Sequence, residues 1–186
     1  MAASADMENN IDRAGGLPGA RAAGLHLFFA RRAARKAGID PEHVTFGAGV
    51  PLPRLKNEDG RMRCGQVWIS RGVRMWAHKG GELTIGDGTY LDDGVEVIAW
   101  EQVSIGTDCY LGIDVLIMDT DLHGVEGREP ENRPVHIGDE VRIGCRAIIL
   151  KGVTVGKRAI IHPGCVVTHD VAEGSEVKPV AARVIR

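Results

Sequence analysis

The residue types best suited to acid–base chemistry fall in one short run, Asp119-Thr120-Asp121-Leu122-His123. An imidazole exchanges a proton near neutral pH, and a neighbouring carboxylate can orient its ring or grip a hydroxyl. Together they are equipped to remove the proton from a hydroxyl while its oxygen attacks an electrophile, a step worth roughly 10² to 10⁴ in rate. His123 could act as such a base, and Asp119 or Asp121 could orient it or grip an acceptor hydroxyl. The remaining histidines in this half, His136, His162 and His169, are too irregularly spaced to form a zinc ligand set with His123, so no metal is expected. Cys64, Cys109, Cys145 and Cys165 make no Cys-x-x-Cys pair and read as small buried hydrophobes.

The chain that must position this run has 186 residues, 44% hydrophobic and 26% charged, the balance of a folded domain. Aromatics are only 4% against 25 glycines, which favours repetitive β structure built from small and β-branched layers. No apolar run approaches the roughly 18 residues of a membrane span, and the N-terminus lacks the apolar stretch of a signal peptide, so a cytoplasmic location is expected. The net charge of −2 hides a split. Glu82 to Glu140 holds 15 acidic residues against Arg128 and Arg133, whereas Val141 to Arg186 holds eight basic against three acidic. A basic C-terminal part suits an anionic ligand; nucleic acid would bring a strongly basic domain with interleaved aromatics, and neither is present.

A six-residue period organises the chain. Ile137, Ile143, Ile149, Val155, Ile161 and Val167 are spaced six apart, and the same phase appears as Ile85, Leu91 and Val97, then after an eight-residue step as Ile105, Leu111 and Ile117. Gly follows at Gly86, Gly106, Gly112, Gly138, Gly144 and Gly156, and a small or β-branched residue stands four places on, as in Val95, Cys109, Val115 and Ala147. Such a period fits a short strand and a tight turn, with the bulky residue inward, the Gly allowing the turn's backbone angles and the small residue filling the corner. Stacked units bury one continuous apolar column, as in a solenoid.

This pattern resembles the hexapeptide-repeat acyltransferases, in the branch similar to maltose and galactoside O-acetyltransferases, from about Leu83 to Arg186. The resemblance implies an all-β fold: a left-handed parallel β-helix with an N-terminal helix, an extruded loop and a short C-terminal tail. It implies a CoA-dependent acyltransferase that moves acetyl from acetyl-CoA to a hydroxyl or amino group of a sugar, glycan precursor or small metabolite. The family's catalytic histidine lies in the equivalent loop, by repeat count at Leu122, one residue before His123, which is the loop's only histidine. Asp92 and Trp100 match positions lining the family's acceptor pocket. On the donor side Cys145, Pro163, Thr168 and His169 match contacts to the acetyl-CoA arm, and Arg183 and Arg186 match arginines that meet its phosphates. The family's members are homotrimers with each site in a cleft between two β-helices. The alternative is a catalytically silent trimeric scaffold or binding protein, favoured by departures from the family pattern at Arg142, Pro163, His169 and Pro179-Val180-Ala181.

The expected domain plan is a mobile tail over 1–18, a helical segment over 19–40, and a β-helix domain over 41–186 with an extruded loop at 118–134. In the helix, which reads from Ala20 to Ala37, Leu25, Phe28 and Phe29 share a face and should dock it onto the rest of the fold.

Overall fold

The computed structural model of the protein describes residues 20–124, 127 and 129–180, so the tail 1–18, Arg183 and Arg186 lie outside the described residues. From Val44 to Val177 the chain winds as a parallel β-helix with three faces. The first face has seven strands, from Val44–Phe46 through Val67–Ile69, Tyr90–Leu91, Tyr110–Leu111, Arg142–Ile143 and Ile160–Ile161 to Glu176–Val177. The second has six and the third five, and every strand pair in the three faces is parallel. The period of six now has its physical meaning: Ile85, Leu91 and Val97 enter the core from the third, first and second faces in turn. Each is at most 3% exposed. Repetition in register stacks like on like, as in Leu91, Leu111, Ile143 and Ile161. Each such side chain removed from water contributes about 1.5–3 kcal/mol.

The glycines of the repeat serve a different end from the one expected. Gly86, Gly106, Gly112, Gly138, Gly144 and Gly156 do not take left-handed backbone angles; the residue two places later does, as at Gly88, Asp108, Asp114, Glu140, Arg146 and Arg158. What excludes a side chain is the closeness of the next coil. A Cβ at Gly138 would lie 2.7 Å from the Lys157 nitrogen, and one at Gly144 would lie 2.5 Å from the Pro163 nitrogen.

The helix Ala20–Ala37 covers the N-terminal end of the β-helix through Ala30, Ala34 and Ala37, and Ile39 follows them into the core. His26 Nδ1 bonds the Gly49 carbonyl oxygen at 2.8 Å, and Asn57 Nδ2 donates to the Ala37 carbonyl at 2.9 Å. The face expected to dock is thus the wrong one: Leu25, Phe28 and Phe29 are exposed. Alanine methyls let the helix approach the coil end closely, where phenyl rings would hold it off.

Candidate active site

Three edges join the faces, and the proposed base leaves from the one between the second and third faces. Asn57, Ala77 and Ala99 lie side by side in register at the end of the second face, so Glu58, His78 and Trp100 follow one another down this edge. Below them the chain leaves the coil after Met118 and rejoins it at Val135, and Lys151 and His169 occupy the edge in the last coils. The extra residues of the eight-residue step from Val97 to Ile105 fall here too and carry Trp100.

Trp100 is the hub of an aromatic group. Its indole stacks on the His78 imidazole at 3.9 Å with planes 4° apart and meets Trp76 edge-on at 6.4 Å. Trp76 Nε1 donates to Glu58 at 3.2 Å, and Lys56 Nζ stands 4.3 Å above the Trp76 ring. The sequence reading missed His78, Trp76 and Glu58; their signal is the 22-residue spacing of Ala77 and Ala99, which places His78 directly against Trp100.

Asp119 proves to be a structural anchor. It is fully buried and accepts backbone N–H bonds from Trp100 at 2.8 Å and from Glu101 and Gln102 at 2.7 Å each. Full burial behind three main-chain donors leaves this carboxylate out of reach of an acceptor, so the expected site role for Asp119 is corrected to an anchoring one. Its own carbonyl accepts from Arg133 at 2.8 Å, Thr120 bridges Asn132 antiparallel, and Asp121 N–H donates to the Glu131 carbonyl at 3.2 Å. These contacts close the loop into a neck.

Asp121 does not orient His123 either. Its carboxylate accepts from Lys151 Nζ at 2.6 Å, and the same ammonium donates to Glu131 at 2.8 Å. Hydrogen bonding to Lys151 holds the Asp121 and Glu131 carboxyls below their usual range and raises Lys151. Lys151 is a fourth residue the sequence reading missed, since it occupies a variable repeat position. Just past the neck a tight turn, with His123 N–H bonded to the Asp121 carbonyl at 2.7 Å and Leu122 at φ 63°, sets His123 at the start of the loop tip. There its ring is exposed and bonds no side chain among the described residues.

The other expected site residues divide between two edges. Asp92 lies on the edge between the first and second faces, where it accepts from the Tyr110 hydroxyl at 2.8 Å. Burial, then that hydrogen bond, raises the Tyr110 pKa. On the same edge Cys145 and Pro163 occupy successive coils, with the Cys145 carbonyl accepting from Gly164 at 3.0 Å. Thr168 and His169 lie on the His123 edge and bond each other at 2.8 Å. One chain therefore brings Trp100, the loop neck and His169 to a single edge and holds Asp92, Cys145 and Pro163 across the second face from them. Among the described residues no group of three His, Cys, Asp or Glu side chains is placed to hold a metal ion.

Residues 134–169 match the family described as bacterial transferase hexapeptide (six repeats). The 2,3,4,5-tetrahydropyridine-2,6-dicarboxylate N-acetyltransferase of Staphylococcus aureus strain JH9 is 49% identical over 57 residues, 31% of this chain and 24% of that protein. The match thus spans about a quarter of that relative's length. Among solved structures the polySia-specific acetyltransferase NeuO superposes with a TM-score of 0.59 at 26% identity, over 77% of this chain and 65% of that one. Galactoside acetyltransferase in complex with coenzyme A superposes with a TM-score of 0.54 at 20% identity, over 88% of this chain and 78% of that one. The chain has the left-handed β-helix fold of these acetyltransferases, and residues 134–169 carry the matching hexapeptide repeat.

Proposed function

We propose that the protein is an acetyl-CoA-dependent acyltransferase whose acceptor is a hydroxyl, or an amino group, of a sugar, glycan precursor or small metabolite. The observation that carries this reading is His123, an imidazole without a side-chain partner among the described residues, held at the mouth of a loop whose neck is fixed to Trp100 and Lys151. In the reaction His123 takes the proton as the acceptor oxygen attacks the thioester carbonyl. The tetrahedral intermediate collapses, the C–S bond breaks, and the coenzyme thiolate leaves with the proton returned by the imidazolium. Trp100 supplies an apolar wall for the acceptor, and Asp92 and Asp121 supply hydrogen-bond acceptors. Cys145, Pro163, Thr168, His169, Arg183 and Arg186 form the donor side, the arginines pairing with coenzyme phosphates.

Asp92 and His123 stand on different edges of one chain, so a complete site draws these residues from two copies. This supports a homotrimer with sites between its subunits. Use of acetyl-CoA as donor supports a cytoplasmic reaction.

Calorimetric titration of acetyl-CoA into wild type, His123→Ala and Arg183→Ala/Arg186→Ala tests the reading. Saturable binding that survives loss of His123 and weakens without the arginines is expected, with acetyl transfer to a screened acceptor lost in His123→Ala. Absence of binding by the folded protein overturns the enzyme reading and leaves the scaffold, in which Pro163 and His169 no longer support the donor.

A further inference from the structure

We infer that the N-terminal helix is a docking surface for an anionic membrane, holding the β-helix against the bilayer by its capped end. The inference does not depend on the transfer reaction.

The helix Ala20–Ala37 has two faces of unequal kind. The inner one is alanine with His26 bonded to Gly49, and it is sealed against the first coil. On the outer one Leu25, Phe28 and Phe29 stand at i, i+3 and i+4 and are 58%, 60% and 47% exposed. The next turns of that face carry Arg32, Arg35 and Lys36, with Arg31 beside them. Large apolar side chains in water lose what burial would gain, and here the coil end has been closed by methyl groups instead.

Charge selects the occupant. The helix contains no Asp or Glu, and the first carboxylates after it are Asp40 and Glu42. None of the ion pairs among the described residues involves Arg31, Arg32, Arg35 or Lys36. A second copy packed symmetrically on this face would bring like charges together. A lipid surface instead offers head-group phosphates to the basic turns and an acyl boundary to the phenyl rings about 5–10 Å deeper. No described helix is long and apolar enough to cross a membrane, so this one would lie along the surface.

The test is flotation of the full chain with vesicles of phosphatidylcholine alone and of phosphatidylcholine with one third phosphatidylglycerol, at low and high salt. Binding to the anionic vesicles should exceed that to neutral ones by more than tenfold and fall in high salt. Arg32→Gln/Arg35→Gln/Lys36→Gln should lower the partition coefficient about a hundredfold, at roughly fivefold per removed charge. Phe28→Ser/Phe29→Ser should also release the protein, while both variants keep the wild-type melting temperature. Equal binding to both vesicle types, or variants that bind like wild type, would overturn the inference. So would self-association of the free protein that Phe28→Ser/Phe29→Ser dissolves, because a second copy would then be what covers the face.

Discussion

Asp119 and Trp100 lie one coil apart, and the buried carboxylate of the first fixes the main chain of the second, reaching its N–H at 2.8 Å and those of the next two residues at 2.7 Å. The loop that carries the proposed base and the bulge that carries the indole are therefore a single unit. Asp119→Ala would leave three backbone donors without their acceptor. We expect a loss of about 3 kcal/mol and a melting temperature lower by roughly 6–12 °C, with Asp119→Asn costing about half as much. Equal stability of wild type and Asp119→Ala in thermal denaturation would refute the anchoring role.

The ion cluster at the neck has a pH signature. Lys151 lowers the folded-state pKa of Asp121 and of Glu131, so their contribution is fully present above the unfolded carboxylate range near 4 and is lost as pH falls through the depressed values. Amide hydrogen exchange at Asp121 and His123, corrected for intrinsic rates, should be constant from about pH 8 to 5 and accelerate below about pH 4. Lys151→Met should show at neutral pH the fast exchange that wild type shows in acid. Protection that persists at low pH would mean that the backbone bonds alone hold the neck.

Left-handed turns offer a paired stability test. Arg146 takes φ 58° and its only ion pair among the described residues is a 3.7 Å contact with Asp114 at high exposure, so Arg146→Gly should stabilise the fold by about 0.5–1 kcal/mol. Gly164 takes φ 74° with open space where an alanine methyl would stand, so Gly164→Ala should cost about 1 kcal/mol from the backbone alone. Urea denaturation of both variants reads the two signs directly, and the same sign for both would contradict the turn assignment.

Three of the four thiols should be silent in the native state. Burial pushes Cys64 up to about 12 and also raises Cys109 and Cys165. Since the thiolate is the reactive species, iodoacetamide at about pH 8 should leave these three unmodified until the protein is unfolded. Rapid native labelling of Cys64, read by peptide mass spectrometry, would be the contrary result.

The coil architecture was legible because Ile85, Leu91, Val97 and their counterparts must each fill one face of the same column, which imposes a regular spacing on the sequence. Features that depend on direction were not. Asp119 looked like a site carboxylate because spacing does not reveal whether a side chain at a strand end turns inward to the main chain. Phe28 and Phe29 looked like the docking face because periodicity ranks hydrophobicity, whereas the end of a coil selects for small size and takes Ala30, Ala34 and Ala37. His78 and Lys151 gave no signal of their own; they matter only through what the stacking places beside them, Trp100 in one case and Asp121 in the other.

The neck hydrogen bond between Arg133 N–H and the Asp119 carbonyl, 2.8 Å long, brings the two ends of the excursion together before the tip begins. Closure entropy for such a segment grows only logarithmically, so doubling the tip would cost about 0.6 kcal/mol. The tip is in this sense a cassette: its length is thermodynamically almost free to change, while the scaffold that presents it is not.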